Sequence, residues 1–319
     1  MRAVDPPAAS HDVRSDVAIL LCSMHGQHFI AEQLESIAAQ THTDWTVWVS
    51  DDDSRDDTPG IIRQYLAKWG GDRISLQSGP TQGYAANFLS LARQDNIRAR
   101  YYAFADQDDI WEPDKLARAI ARLNEIPAEI PALYCSRTRL IDEQGRELGF
   151  SPLIRRHPSF ANALVQNIGG GNTLVFNEAT RNLLRQASAD VSIVAHDWWA
   201  YQVVTGCGGR VVYDAYPSVR YRQHLNNEVG SSAGWSNKIG RLRELLKGRF
   251  RRWNDINVEA LQSMRSRLTP ENQKILEEFR LARTRSLLPR LMGLKRSGVN
   301  RQSLMGNLGL ACAAILKRI

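Results

Sequence analysis

Asp106, Asp108 and Asp109 place three carboxylates within four positions. Like charges this close repel, and a shared cation removes the cost. Asp106 and Asp108 are one residue apart, so an extended backbone points both side chains to one side. Such a pair suits Mg2+ or Mn2+, which accepts one or two carboxylates and keeps its other positions for water and substrate phosphates. A solvated acidic turn is the alternative. The flanking residues favour chemistry. Residues 101–105 (Tyr-Tyr-Ala-Phe-Ala) read as a short strand buried on both faces. Pro113 sits where a first helical residue belongs, and residues 115–124 continue at helical spacing. The carboxylates therefore lie between the carboxyl end of a strand and a helix, where ligands bind in open α/β sheets.

Two more polar clusters follow strand-like runs. Residues 17–22 are continuously apolar and lead into the loop Ser23-Met24-His25-Gly26, after which Ile30, Leu34, Ile37 and Ala38 share a helical face. Residues 45–49 (Trp-Thr-Val-Trp-Val) are strand formers and end in Ser50-Asp51-Asp52-Asp53-Ser54. Thr58-Pro59 reads as a helix cap with proline in the first turn, and Ile61, Ile62, Tyr65, Leu66 and Trp69 supply the apolar stripe. A weaker strand at 74–77 precedes a Gly79-Pro80 and Gly83 loop, and a helix from Tyr84 carries Asn87 in its first turns. Strand and helix thus alternate four times, which predicts a Rossmann-like, mostly parallel sheet with helices on both faces. Parallel strands bring the three polar loops to one sheet edge. A sugar nucleotide needs such a site: acceptors for its base and ribose, a cation for its diphosphate.

After residue 125 the rhythm changes. Short strand-like runs at 132–136 and 138–142 flank a turn near Gly145, and 162–167 reads as helical. Gly169-Gly170-Gly171-Asn172 leads into a strand at 173–176. His196-Asp197-Trp198-Trp199 opens an apolar helical segment, and strands are expected at 210–213 and 218–222.

The 319 residues suffice for one large α/β domain with an appendage; 43% apolar and 24% charged content is ordinary for a globular chain. The four cysteines are far apart, with no Cys-x-x-Cys pair, so reduced thiols are expected rather than zinc or a disulfide framework. The first sixteen residues do not read as a signal peptide, and no apolar run approaches the ~20 residues of a membrane span. Charge is asymmetric. Residues 1–237 carry 22 basic and 28 acidic side chains, a net −6; residues 238–319 carry 19 and 6, a net +13. In that second part Lys247, Arg249, Arg251 and Arg252 interleave with Leu242, Leu245, Leu246, Phe250 and Trp253, a basic amphipathic helix. It suits an anionic membrane surface, a nucleic acid, or a solvated face on a helical hairpin or homodimer contact. No nucleic-acid motif accompanies the arginines, and no nucleic-acid partner is expected.

Taken together, Ser50-Asp51-Asp52-Asp53-Ser54, Gly83-Tyr84-Ala85-Ala86-Asn87-Phe88, Asp106-Gln107-Asp108-Asp109-Ile110-Trp111, Gly169-Gly170-Gly171-Asn172, His196-Asp197-Trp198-Trp199 and Tyr221-Arg222-Gln223-His224 resemble the inverting family 2 glycosyltransferases of the GT-A fold. The last two motifs look most like the bacterial rhamnosyltransferase branch that builds O-antigen and other surface polysaccharides. The resemblance covers roughly residues 15–230. It implies an α/β GT-A domain over 16–232, with a nucleotide-sugar half (16–125) and an acceptor half (126–232). A disordered segment, 1–15, would precede it and a basic helical region, 233–319, would follow.

By that resemblance, Asp51 and Asp52 sit by the base and ribose, Ser23 lines the same pocket, and Asn87, Asp106 and Gln107 contact the nucleotide. Asp106 and Asp108 hold the divalent metal, with His224 completing its shell. Asp197 is the catalytic base. Trp111, Gly170, Gly171, Asn172, His196, Trp198 and Trp199 line the acceptor or sugar. The implied donor is dTDP-rhamnose, with UDP- and GDP-sugars open. The implied acceptor is a lipid-linked oligosaccharide, reached by a cytoplasmic enzyme peripheral on the inner membrane face. Plainer roles stand beside these: a helix cap for Asp197, core packing for a tryptophan, a hydrogen-bonded structural role for His224, a plain turn for the glycines, a solvated position for Asn87, and surface positions for His25 and His28. Two departures from the family pattern stand out: Asp53 where glycine is usual, which leaves that loop's shape open, and Met24-His25 where an aromatic and asparagine are usual, which leaves the base pocket open. A nucleotidyltransferase would want Arg and Lys in the first loop, which has no cation. A non-catalytic binding protein would not need Asp106, Asp108 and Asp197 together.

Overall fold

The computed structural model describes residues 15–186, 191–223 and 248–319. His224 and residues 242–247 of the expected basic helix lie outside them. The sheet is built from alternation. In β1 (Ser15–Ser23), Ala18, Leu20 and Cys22 enter one core, while Val17, Ile19 and Leu21 enter a second core on the opposite face. A strand buried on both faces must be covered by helices on both.

The first half keeps the expected order: α1 (Ile30–Ala38), β2 (Trp45–Asp51), α2 (Thr58–Trp69), β3 (Ile74–Ser78), α3 (Tyr84–Arg93) and β4 (Ala99–Ala105). β2 and β4 both pair parallel with β1, and β3 pairs parallel with β2. Helices α1 and α2 close the core that holds Val17, Ile19 and Leu21, and α3 closes the other.

The second half is mixed. β5 (Ile110–Trp111), α4 (Lys115–Leu123), β6 (Ala132–Ile141), β7 (Glu147–Phe150), α5 (Phe160–Ala163), a 3-10 turn (Gly171–Thr173), β8 (Val175–Asn177), α6 (Glu178–Gln186), α7 (His196–Gly206) and β9 (Arg210–Arg222) follow. Among the described residues the sheet runs β3-β2-β1-β4-β8-β6-β9-β5, with β7 paired to β6. β8 joins the halves, antiparallel to both β4 and β6. This is the α/β GT-A arrangement expected from the motifs.

Five elements differ from expectation. The runs at 132–136 and 138–142 are one strand, β6, and those at 210–213 and 218–222 are one strand, β9; the apparent gaps are a register shift where Arg137 pairs with Pro217. β5 and β7 are too short for their alternation to register, and tertiary pairing creates them. Helix α6 hides its stripe because Arg181 is buried in it, its guanidinium donating to the carbonyls of Ala92 and Gln94.

Helices α8 (Arg249–Ser263), α9 (Pro270–Thr284), α10 (Leu287–Ser297) and α11 (Leu304–Ile315) pack on the body. Val258, Leu261, Leu276, Phe279, Leu294 and Leu310 join the core that holds Phe160, Trp199 and Val203. Asn272 donates to the carbonyls of Thr205 and Gly206 at the end of α7. All four cysteines are unpaired.

Candidate active site

The strand order places β1 between β2 and β4, so their carboxyl ends open one crevice. Asp51 ends β2 there. Its carboxylate accepts from the hydroxyls of Ser23 at 2.8 Å and Ser54 at 2.7 Å, and from the Ser54 N–H at 2.9 Å. Asp52 accepts from the Thr81 N–H at 2.6 Å. These bonds lock the two loops together. Asn87 is buried rather than solvated, and both ends of its amide are used by Ser50: it donates to the Ser50 carbonyl and accepts from the Ser50 hydroxyl. Its expected nucleotide contact is replaced by this tie between α3 and β2. Gln107 is likewise taken up, bonding the Met24 N–H and carbonyl at 2.8 Å each. It fastens the acidic loop to the loop after β1.

The acidic loop, residues 106–109, runs from β4 to β5. Asp109 turns inward and is fully buried, accepting from the Asn172 amide at 2.5 Å and the Arg222 N–H at 3.2 Å. Asn172, itself buried, therefore supports the loop. Asp106 and Asp108 remain partly open. Burial pushes the Asp106 carboxyl up to about 8, and the charges of Asp108 and Asp197 add to that push. Burial also raises Asp109 well above the carboxylate range, with Asp108 and Asp106 reinforcing it. Behind the loop lies Lys115, fully buried, its ammonium 3.5 Å from the Trp111 ring centre and without a hydrogen-bond partner. Burial lowers it to about 7, against the pull of Asp109. Trp111 is thus core beneath the loop, not a sugar contact.

Asp197 lies in the first turn of α7, whose N-cap is Ala195; it is not the cap. It accepts from the Trp198 N–H at 2.6 Å. Burial pushes it up to about 6, while bonds from Trp198, the Asn167 side chain and the Gly171 N–H oppose the shift. A carboxylate so placed can accept a proton near neutral pH. Its neighbours correct the sequence expectation. His196 is buried, stacked on Phe88 at 3.9 Å and edge-on to Phe104, with both ring nitrogens unpartnered. Burial lowers it to about 3, so it is neutral packing. Trp198 is buried and donates to the Ala163 carbonyl; Trp199 is fully buried in the core. Neither offers a sugar a face. Gly171 is glycine because a Cβ would stand 2.3 Å from His196 Nε2; only bare backbone reaches Asp197 there. Gly170 is exposed beside it.

Tyr221, near the end of β9, shows how these elements converge. Burial raises its phenol, and the charges of Asp109, Asp106, Asp108 and Asp197 all add to the shift. Carboxylates from the acidic loop and from α7 therefore act on one point. Sequence reading noted the motif holding Tyr221 and Arg222 but assigned neither a role. Buried Arg222 is the fastener: it donates to the Asp108 carbonyl at 3.0 Å, the Glu143 carbonyl at 2.8 Å and the Glu32 carboxylate.

A divalent cation fits this chemistry. Asp106 and Asp108 are hard oxygen donors in a cluster of carboxylates that raise one another's protonation. They do not make a closed cage: among the described residues no group of three His, Cys, Asp or Glu side chains is arranged to hold a metal. Such an ion would keep positions for water and phosphate.

Residues 18–184 match the family model described as glycosyl transferase family 2, slightly more than half of the chain. The chain belongs to that family. It is a glycosyltransferase. It is similar to the dTDP-rhamnosyl transferase RfbG of Shigella flexneri, 29% identical over 235 residues that span 70% of this chain and 78% of the relative. It is also similar to a UDP-Glc:alpha-D-GlcNAc-diphosphoundecaprenol beta-1,3-glucosyltransferase, WfgD, of Escherichia coli, 32% identical over 107 residues, 34% of this chain and 40% of that one. The structure of S. aureus TarS 1-349 in complex with UDP-GlcNAc shares the fold, with a TM-score of 0.54 at 15% identity, over 95% of this chain and 89% of that one.

In this glycosyltransferase Asp53 adopts φ +65°, the left-handed region glycine favours. The loop keeps a glycine-like shape with a residue that tolerates it. Asp53→Val is expected to lower stability by about 1–2 kcal/mol, and Asp53→Gly to leave it within about 0.5 kcal/mol. Chemical denaturation of the two variants checks this; equal midpoints would remove the conformational explanation.

Arg222 is a positioning residue of the glycosyltransferase. Arg222→Lys keeps the charge but not the fork that reaches three directions. It is expected to cut kcat/KM at least about tenfold, mainly through the donor KM, with a smaller effect on kcat. Steady-state kinetics beside a melting curve separate the cases; loss of kcat and stability together, with KM unchanged, would mean a purely structural part.

Proposed function

We propose that this glycosyltransferase moves L-rhamnose from dTDP-rhamnose to a hydroxyl of a lipid-linked, growing bacterial surface polysaccharide, with inversion and with a divalent metal. The observation that carries it is that Asp106 and Asp108, in the loop after β4, and Asp197, in the first turn of α7, are near enough for their charges to act on one another and on Tyr221. Transfer of a sugar from a nucleotide to a hydroxyl needs such an arrangement: donors that can hold a cation against a diphosphate, with a proton-accepting base beside them. The donor class is supported by the Shigella relative's dTDP-rhamnosyl name and by the UDP-GlcNAc in the TarS complex. The acceptor class is supported by the diphosphoundecaprenol in the Escherichia coli relative's name. On this reading the enzyme works in the cytoplasm, peripheral to the inner membrane face.

In mechanism, Asp51 and Asp52, held by Ser23, Ser54 and Thr81, present acceptors to base and ribose. Asp106 and Asp108 would hold Mg2+ or Mn2+, which supplies charge neutralisation to the departing nucleoside diphosphate. Asp197 takes the proton of the acceptor hydroxyl as its oxygen bonds the anomeric carbon and the bond to the diphosphate breaks. Attack from the face opposite the leaving group inverts that carbon through an oxocarbenium-like transition state.

A panel of sugar nucleotides, read by released nucleoside diphosphate with and without chelator, tests the proposal. dTDP-rhamnose should be turned over fastest, and chelator should stop release. Turnover of UDP- or GDP-sugars alone would overturn the donor; undiminished release in chelator would overturn the metal.

A further inference from the structure

Helices α10 and α11 turn apolar side chains to solvent. On α11, Leu304, Met305, Leu308, Cys312 and Ile315 are exposed, as is Leu316 just past its end. Their spacing puts them on one helical face, and Leu310, Ala313 and Ala314 on the opposite face are buried. No charged residue interrupts α11. On α10, Leu288 and Met292 are exposed one turn apart. The two helices contact each other, and buried Arg290 of α10 donates to the Ala314 carbonyl at 2.7 Å, fixing α11 in place. Leu304 and Met305 are 75% and 76% exposed, side by side at the start of that face.

The two helices and their flanks carry charge of one sign, and the nearest carboxylate, Glu278 of α9, pairs with Arg296 at 3.3 Å. Residues 285–319 hold seven Lys or Arg and no Asp or Glu. Lys295, Arg296, Lys317 and Arg318 are exposed. An apolar helix face with cationic flanks lies in a bilayer interface, and each Lys or Arg strengthens binding to anionic lipid about fivefold. No helix of the described residues is long and apolar enough to cross a membrane.

We propose that the α10–α11 face rests on an anionic bilayer. Leu304, Leu308 and Ile315 enter the boundary between headgroups and acyl chains, while Lys295 and Lys317 meet lipid phosphates. This assigns the docking surface to the last two helices rather than to the arginine-rich stretch around residues 242–253. It rests on the glycosyltransferase reading only for its purpose, a membrane-borne acceptor; the surface chemistry stands apart from the donor.

The test is flotation of the full chain with vesicles of phosphatidylcholine alone or mixed with phosphatidylglycerol, beside donor hydrolysis in solution and light scattering. The wild type should float with the mixed vesicles and not with phosphatidylcholine alone. Leu304→Glu combined with Leu308→Glu should weaken flotation more than about tenfold, and Lys295→Glu combined with Lys317→Glu by a similar factor. Melting temperature and donor hydrolysis should stay at the wild-type level in both. Flotation that survives both variants, or that ignores lipid charge, overturns the proposal. So does a wild type that fails to float and forms a dimer broken by the leucine substitutions. Absent donor hydrolysis with normal flotation would sink the donor assignment and leave this surface standing.

Discussion

Asp197→Asn should reduce sugar transfer by about 10^2–10^4-fold while leaving donor binding nearly unchanged. Asparagine has the same shape and keeps an oxygen for the Trp198 N–H, so α7 should start as before. What it lacks is basicity. The same group sets the acid limb of the pH profile. Burial holds Asp197 at about 6, so the wild type should lose activity as pH falls through that value. Titration calorimetry with a sugar nucleotide, together with transfer rates across pH, checks both halves. A variant that binds donor tenfold more weakly, or a wild-type acid limb near the free aspartate value, would remove Asp197 from the role.

The second large effect is on stability without metal. Folded Asp106, Asp109 and Asp197 hold protons that the unfolded chain releases near the ordinary carboxylate range. Where the folded state binds more protons, stability falls as pH rises. Two groups oppose this. Buried His196 stays neutral where an unfolded histidine protonates, so below about pH 6.5 its contribution rises with pH. Lys115, depressed to about 7, acts in the same direction above that value. Three carboxylates outweigh one histidine, so in chelator stability should fall from about pH 5 to about pH 7 by an amount on the order of 2 kcal/mol, roughly 3 °C in melting temperature. Mg2+ or Mn2+ with nucleoside diphosphate should restore it by binding only the folded state. Asp106→Asn should flatten the slope and abolish the rescue. A melting temperature that climbs across this window in chelator, or an unchanged slope in Asp106→Asn, would contradict the account of the acidic loop.

Much of this was written in local patterns. The apolar runs before Ser23, Asp51 and Asp106 set three strands, and turn chemistry at Thr58-Pro59 and Gly83 started the helices between them. Parallel connection then forces the ends of β1, β2 and β4 to one edge whatever the details. The acidic pair and the helix bearing Asp197 were legible for the same reason: charge clusters and hydrophobic periods lie within a few residues. Tertiary structure alone decided which polar residues face the crevice and which are spent holding it. Asn87, Gln107 and Asn172 have the side chains of ligands, yet their bonds go to Ser50, Met24 and Asp109. Trp111, His196, Trp198 and Trp199 have the side chains of sugar platforms, yet they are buried. Arg222 and Lys115 drew no role from the sequence, yet both are buried beside the acidic loop. The reason is physical: a hydrogen bond or a contact depends on which distant segment folds opposite, and residues over a hundred positions apart, such as Asp108 and Arg222, meet only after the sheet has closed.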